Sequence, residues 1–166
     1  MPGAPLRRQV LCFGNELHGD DGFGPAVGRR LAERGLPAGW GLQPVGTRAL
    51  DALALLLDCE AAILVDAEAP GGCPGRLQER RADELRPEAT LADHGQGLGF
   101  VLQALSTWRA AEAPTLPPPR LRILTAEMDG LRRFDPVLSP GVAQAVEAAQ
   151  HWLWRWMTED DDGRGD

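Results

Sequence analysis

Two adjacent carboxylates, Asp20 and Asp21, stand in a glycine-rich run that reads Gly14-Asn15-Glu16-Leu17-His18-Gly19-Asp20-Asp21-Gly22-Phe23-Gly24. A third, Asp66, follows the aliphatic run 61–65, and His94 lies between Asp93 and Gly95. Each has a plain structural reading by itself. Asp20 or Asp21 can cap a helix, Asp66 can cap a turn, and a loop histidine is commonly just solvated. Taken together they are more informative. An acidic residue of the first loop, Asp66 and His94 meeting at one rim would form a divalent-metal site with open coordination positions. Imidazole suits nickel or zinc better than calcium or magnesium.

Other chemistries lack their residues. There is no Gly-x-Ser-x-Gly elbow, no His-Glu-x-x-His zinc motif and no Gly-Lys-Ser/Thr of a P-loop. The glycine spacing of the first loop does not match Gly-x-Gly-x-x-Gly. Asp20 and Asp21 would also repel a pyrophosphate where a dinucleotide fold places it, so a cation fits there better. Of the three histidines, His151 sits among tryptophans near the end, where packing or solvation accounts for it. Cys12, Cys59 and Cys73 have no Cys-x-x-Cys spacing, which argues against a disulfide framework and a thiolate zinc site. Cys12 and Cys59 lie in apolar runs and read as buried thiols.

The elements that must position these groups follow from pattern. Residues 9–13, 42–45, 61–65, 76–80 and 120–125 read as strands, with Asp66 closing the third and 76–80 as a weak edge strand. Helices are expected after the first loop (Phe23, Val27, Leu31), after Gly46-Thr47 (Leu50, Leu53, Ala54 and Leu57 on one face) and after His94 (Leu98, Val101, Leu102, Leu105). A last helix opens at Ser139 as N-cap with Pro140 in its first turn, and repeats Val142, Val146, Ala149 and Leu153. Alternating strands and helices imply an α/β fold, a three-layer sandwich with a mostly parallel twisted sheet of about five strands. Ligands in such folds bind beyond the carboxyl ends of the strands, where Asp21 and Asp66 would lie.

A chain of 166 residues suits one domain, here 1–157, with 158–166 as an acidic, disordered tail. A net charge of −7 argues against nucleic acid or an anionic membrane as the main partner. No apolar run is long enough for a spanning helix, and the start carries Arg7 and Arg8 before a run too short for a secretory signal. A cytoplasmic monomer is the expectation.

The sequence resembles the [NiFe]-hydrogenase maturation endopeptidases. That family opens with a strand and Gly-Asn-x-Leu-x-x-Asp-Asp/Glu-Gly-x-Gly, matched by residues 14–24. Its Gly-Thr before the second helix is matched by Gly46-Thr47, and its strand ending in Asp-Ala by Asp66-Ala67. A following Pro-Gly is matched by Pro74-Gly75, a histidine before the third helix by His94, and Leu-Ser/Thr-Pro before the last helix by Leu138-Ser139-Pro140. The order is kept over nearly the whole chain. Two local departures stand out: Pro44-Val45 precedes Gly-Thr where the family often has an acidic residue or glycine, and Asp93-His94-Gly95-Gln96 replaces the commoner Ser-x-His.

The resemblance implies a phosphorylase/hydrolase-like fold and a metal-recognising, catalytic set of Asp21, Asp66 and His94. Glu16 and His18 fall on variable positions. The implied activity is removal of the C-terminal extension of a hydrogenase large-subunit precursor after nickel insertion. Nickel is then recognised in the substrate, and other divalent ions can occupy the site. Either a nickel-polarised carbonyl or nickel-bound water, or a carboxylate acting as base on water, would drive the attack. The rival readings are a zinc hydrolase of a small amide and a nickel-sensing chaperone that does not cut.

Overall fold

The run Val-Leu-Cys-Phe offers side chains that favour burial on both faces, and it lies in the buried strand β1 (Arg8–Phe13) near the middle of the sheet. In the computed structural model, residues 7–85 and 97–162 are described. After β1 come α1 (Phe23–Arg34), β2 (Trp40–Gly46), α2 (Ala49–Leu57), β3 (Ala61–Glu68), β4 (Leu77–Arg80), α3 (Leu98–Glu112), β5 (Arg120–Glu127) and α4 (Pro140–Asp162). The sheet order is β2-β1-β3-β5-β4. β1 runs parallel to β2 and β3, β3 runs parallel to β5, and only β4 is antiparallel, at the edge beside β5.

Alternate residues of each central strand feed opposite layers. Val10 and Cys12, Ile63 and Val65, and Leu124 and Ala126 face one core with α1 and α4. Leu11 and Phe13, Ala62 and Leu64, and Ile123 face the other core with α2 and α3. The expected three-layer α/β/α sandwich with five strands is therefore what forms. Among the described residues, no helix is long and apolar enough to cross a membrane.

Three local expectations are corrected. The buried stripe of α2 is Ala49, Ala52 and Leu56, while Leu50 is exposed. Leu53 and Leu57 are only half-buried, and Ala54 is exposed. Every residue of this helix but Asp51 is apolar, so periodicity does not fix its phase; the small Ala49 and Ala52 let the helix sit close to the sheet. Asp66 does not close β3. The strand continues to Glu68, because Asp66, Ala67 and Glu68 pair with Thr125, Ala126 and Glu127 of β5. The last helix continues to Asp162, through much of the acidic stretch expected to be a tail.

This topology makes one crevice. The chain leaves β1 toward β2 on one side, then crosses back to β3 on the other. The loops after β1 and β3 therefore diverge from a switch point between adjacent parallel strands. Asp21 lies in the first of these loops, and Asp66 lies near the end of β3.

Candidate active site

Glycine lets the first loop fold back onto the end of β1. A Cβ at Gly14, whose φ is +124°, would lie 2.0 Å from the Asp21 carbonyl oxygen, and one at Gly24 would lie 2.0 Å from the Phe13 carbonyl oxygen. Bare backbone at these two points brings the Asp20–Gly22 turn against the strand end. The adjacent aspartates then part ways. Asp20 is buried, and its carboxylate accepts hydrogen bonds from the Asp129 amide (2.9 Å), the Ser139 amide (2.7 Å) and the Ser139 hydroxyl (2.8 Å). It fastens the segment before α4 to the first loop. Neither aspartate caps α1, whose N-cap is Gly22 with no side-chain cap bond. Ser139 does stand at the start of α4, with its carbonyl accepting the Ala143 amide, but its hydroxyl serves Asp20.

Asp21 is partly exposed and accepts one hydrogen bond, from the Asn15 amide to Oδ2 at 3.0 Å. Asp66 is also partly exposed, and its Oδ1 accepts the Ala67 amide at 2.8 Å. Among the described residues, no further hydrogen bond and no arginine engages either carboxylate. The acidic groups nearby are tied up by contrast. Glu68 binds Gln78, Arg80 and the Thr125 hydroxyl. Glu127 accepts the Gly71 and Cys73 amides and the Arg76 guanidinium, which fixes the Pro-Gly loop. Those bonds, led by the Cys73 amide, hold the Glu127 carboxyl below its usual range.

The free pair behaves in the opposite way. Burial first, then the neighbouring charge of Asp21, pushes the Asp66 carboxyl up to about 8, against the Ala67 amide. Burial likewise raises Asp21, opposed by the Asn15 amide and by His18. Two carboxylates placed this close, with no arginine on either among the described residues, favour either a shared proton or a cation between them. The Cys12 thiol beneath is pushed up to about 12, by burial and then by Asp66, and stays protonated.

The structure thus brings together Asp21 and Asp66. His94, the third expected member, lies outside the described residues. Among the described residues, no group of three metal-ligating side chains is assembled. Glu16 points away, pairing with Arg29 of α1 at 2.6 Å. His18 lies 3.5 Å from the Asn15 side-chain nitrogen and edge-on to Phe134. His151 is exposed on α4, its Nδ1 donating to the Glu147 carbonyl at 2.8 Å. Sequence reasoning missed Glu127 and Glu68. An acidic residue at the end of each of two neighbouring parallel strands was the available signal.

The raised Asp66 carboxyl has a consequence for stability. A carboxyl raised in the folded state favours folding fully below its ordinary value of 3.8, and that contribution is lost as pH rises to about 8. Asp66→Asn keeps an acceptor for the Ala67 amide and removes the partly buried charge. The variant should exceed the parent by roughly 1–3 kcal/mol at about pH 9, with the gap closing toward about pH 4. Urea unfolding at both pH values measures this, and a variant less stable than the parent at alkaline pH would contradict it.

No protein-family model matches the chain. Its sequence is 31% identical over 149 residues to the hydrogenase expression/formation protein HupD of Rhodobacter capsulatus, covering 87% of this chain and 68% of that protein. Its fold is similar to the hydrogenase 2 maturation peptidase of a Thaumarchaeota archaeon, with a TM-score of 0.63, 27% identity, and 89% and 95% of the two chains covered. It is similar also to the hydrogenase maturating endopeptidase HybD of E. coli, with a TM-score of 0.75, 24% identity and 93% of each chain covered. A carboxylate pair at the switch point, in a fold and sequence shared with these proteins over most of their length, places the chain in the hydrogenase maturation endopeptidase family.

Proposed function

We propose that this protein is a nickel-gated endopeptidase that removes the C-terminal extension of a [NiFe]-hydrogenase large-subunit precursor once nickel has been inserted. The observation that carries this reading is the pair Asp21 and Asp66, coupled in charge and free of any arginine among the described residues. Carboxylates so placed attract a cation, and a cation carried by the substrate would lower both groups back into their ionised form. His94 supplies the third donor in this reading, and the precursor fills the remaining coordination positions. The nickel is cargo of the substrate, so the resting enzyme needs no tightly held ion.

The peptide bond next to the nickel is attacked by water. An ionised carboxylate of the pair would take the proton from that water. Nickel polarising the scissile carbonyl is the alternative, and both routes use the same residues. The reading places cleavage in the cytoplasm, by a single copy of the chain. Incubating the protein with nickel-loaded precursor and weighing the large subunit tests the activity. Loss of a C-terminal peptide is expected. An unchanged mass despite complex formation would favour a non-cleaving chaperone, and stoichiometric zinc surviving chelator washing would favour a zinc hydrolase.

A further inference from the structure

Four large apolar side chains stand in solvent on two segments, the loop that carries Asp21 and the stretch 131–137 that pairs with it. Phe134 is 84% exposed and Val137 62%, and Leu17 and Leu131 are also exposed. The segments are joined. The Gly19 amide donates to the Asp135 carbonyl, His18 pairs with Asp135 and Gly19 with Leu131 as isolated bridges, and the His18 ring meets the Phe134 ring edge-on at 5.9 Å. Asp20 anchors both flanks of the second segment, at Asp129 and Ser139. The apolar residues are therefore held on a braced rim.

Phe134 adds a second observation. It is the non-glycine residue of positive φ among those described, at 58°, a conformation disfavoured for a side chain with a Cβ. Such strain persists where the surrounding structure fixes it, and it clusters at sites that bind. Here it holds an aromatic ring outward. Leu17 lies in the same loop as Asp21, between Asn15, whose amide binds the Asp21 carboxylate, and the Asp20–Gly22 turn. A polypeptide that brings a peptide bond to Asp21 and Asp66 would pass over or beside this rim.

We propose that the Leu17–Leu131–Phe134–Val137 rim seats the precursor polypeptide, with Phe134 as the anchor for a bulky apolar side chain of that chain near the cut. This rests on the endopeptidase reading of the carboxylate pair. Exposed aromatic anchors that become buried on association carry a large share of binding energy, whereas their removal leaves a free protein's fold untouched.

The test uses the full chain and two variants, Phe134→Ala and Phe134→Gly. Glycine accepts the positive φ, so Phe134→Gly should match or exceed the parent in thermal midpoint. Both should raise KM for nickel-loaded precursor by about tenfold or more, with kcat within about twofold. Binding of nickel-free precursor, followed by titration without turnover, should weaken by a similar factor. Phe134→Leu should recover part of the loss. Unchanged KM and unchanged binding in folded variants would overturn the docking proposal while leaving the endopeptidase reading intact. A fall in kcat alone would also overturn it, assigning Phe134 to bracing the site. Should the parent bind precursor through Phe134 without cutting it, the endopeptidase reading fails and the docking surface stands.

Discussion

Asp21→Asn and Asp66→Asn should each slow processing of nickel-loaded precursor by roughly two to three orders of magnitude. Among the described residues, the two positions carry carboxylate oxygens of the crevice that no arginine engages; an amide has no negative charge, is a poorer ligand and cannot act as base. Each residue makes one backbone hydrogen bond through an oxygen that asparagine retains, Asn15 to Asp21 and Ala67 to Asp66. The fold should therefore survive, which circular dichroism checks. Glu16→Gln is the matched control in the same loop. It severs an exposed ion pair with Arg29, worth at most about 1 kcal/mol, and should leave processing within about twofold. Loss of processing in Glu16→Gln with normal turnover by Asp21→Asn would reverse the assignment within the first loop.

Asp20→Ala should cost roughly 3–4 kcal/mol of stability, the largest expected effect on folding. It leaves the Asp129 amide and the Ser139 amide and hydroxyl without their shared acceptor, at a side chain only 3% exposed. Each orphaned buried donor costs about 1–3 kcal/mol, less what entering water restores. Asp20→Asn keeps one acceptor oxygen, and the Ser139 hydroxyl can rotate to accept, so about half that loss is expected. Denaturant unfolding gives the stabilities, and hydrogen exchange at Asp129 and Ser139 reports the local release. A cost below about 1 kcal/mol for the alanine variant would mean that water replaces the clamp.

This contrast between Asp20 and Asp21 marks where sequence reading stops. The central strands were legible because stretches buried on both faces are apolar, as in residues 10–13 of β1 and the first five residues of β3. α1, α3 and α4 announced their buried faces by spacing. The phase of α2 was hidden by apolar residues around nearly its whole circumference. The end of β3 was missed because pairing with β5, not local composition, carries the strand past Asp66. Asp20 and Asp21 are chemically identical neighbours. What buries the first are partners 109 and 119 residues away, which no local pattern displays. The outward Phe134 was silent for the same reason, since its backbone conformation is set by the loop it adjoins.

Nickel gating is the centre of the account, and intact mass reads it directly. The precursor is prepared in two forms, one loaded with nickel and one without, and each is mixed with the purified protein. The nickel-loaded form should lose its C-terminal peptide in a single cut, while the nickel-free form keeps its full mass under the same conditions. Equal cleavage of both forms would contradict a metal-recognising role for Asp21 and Asp66.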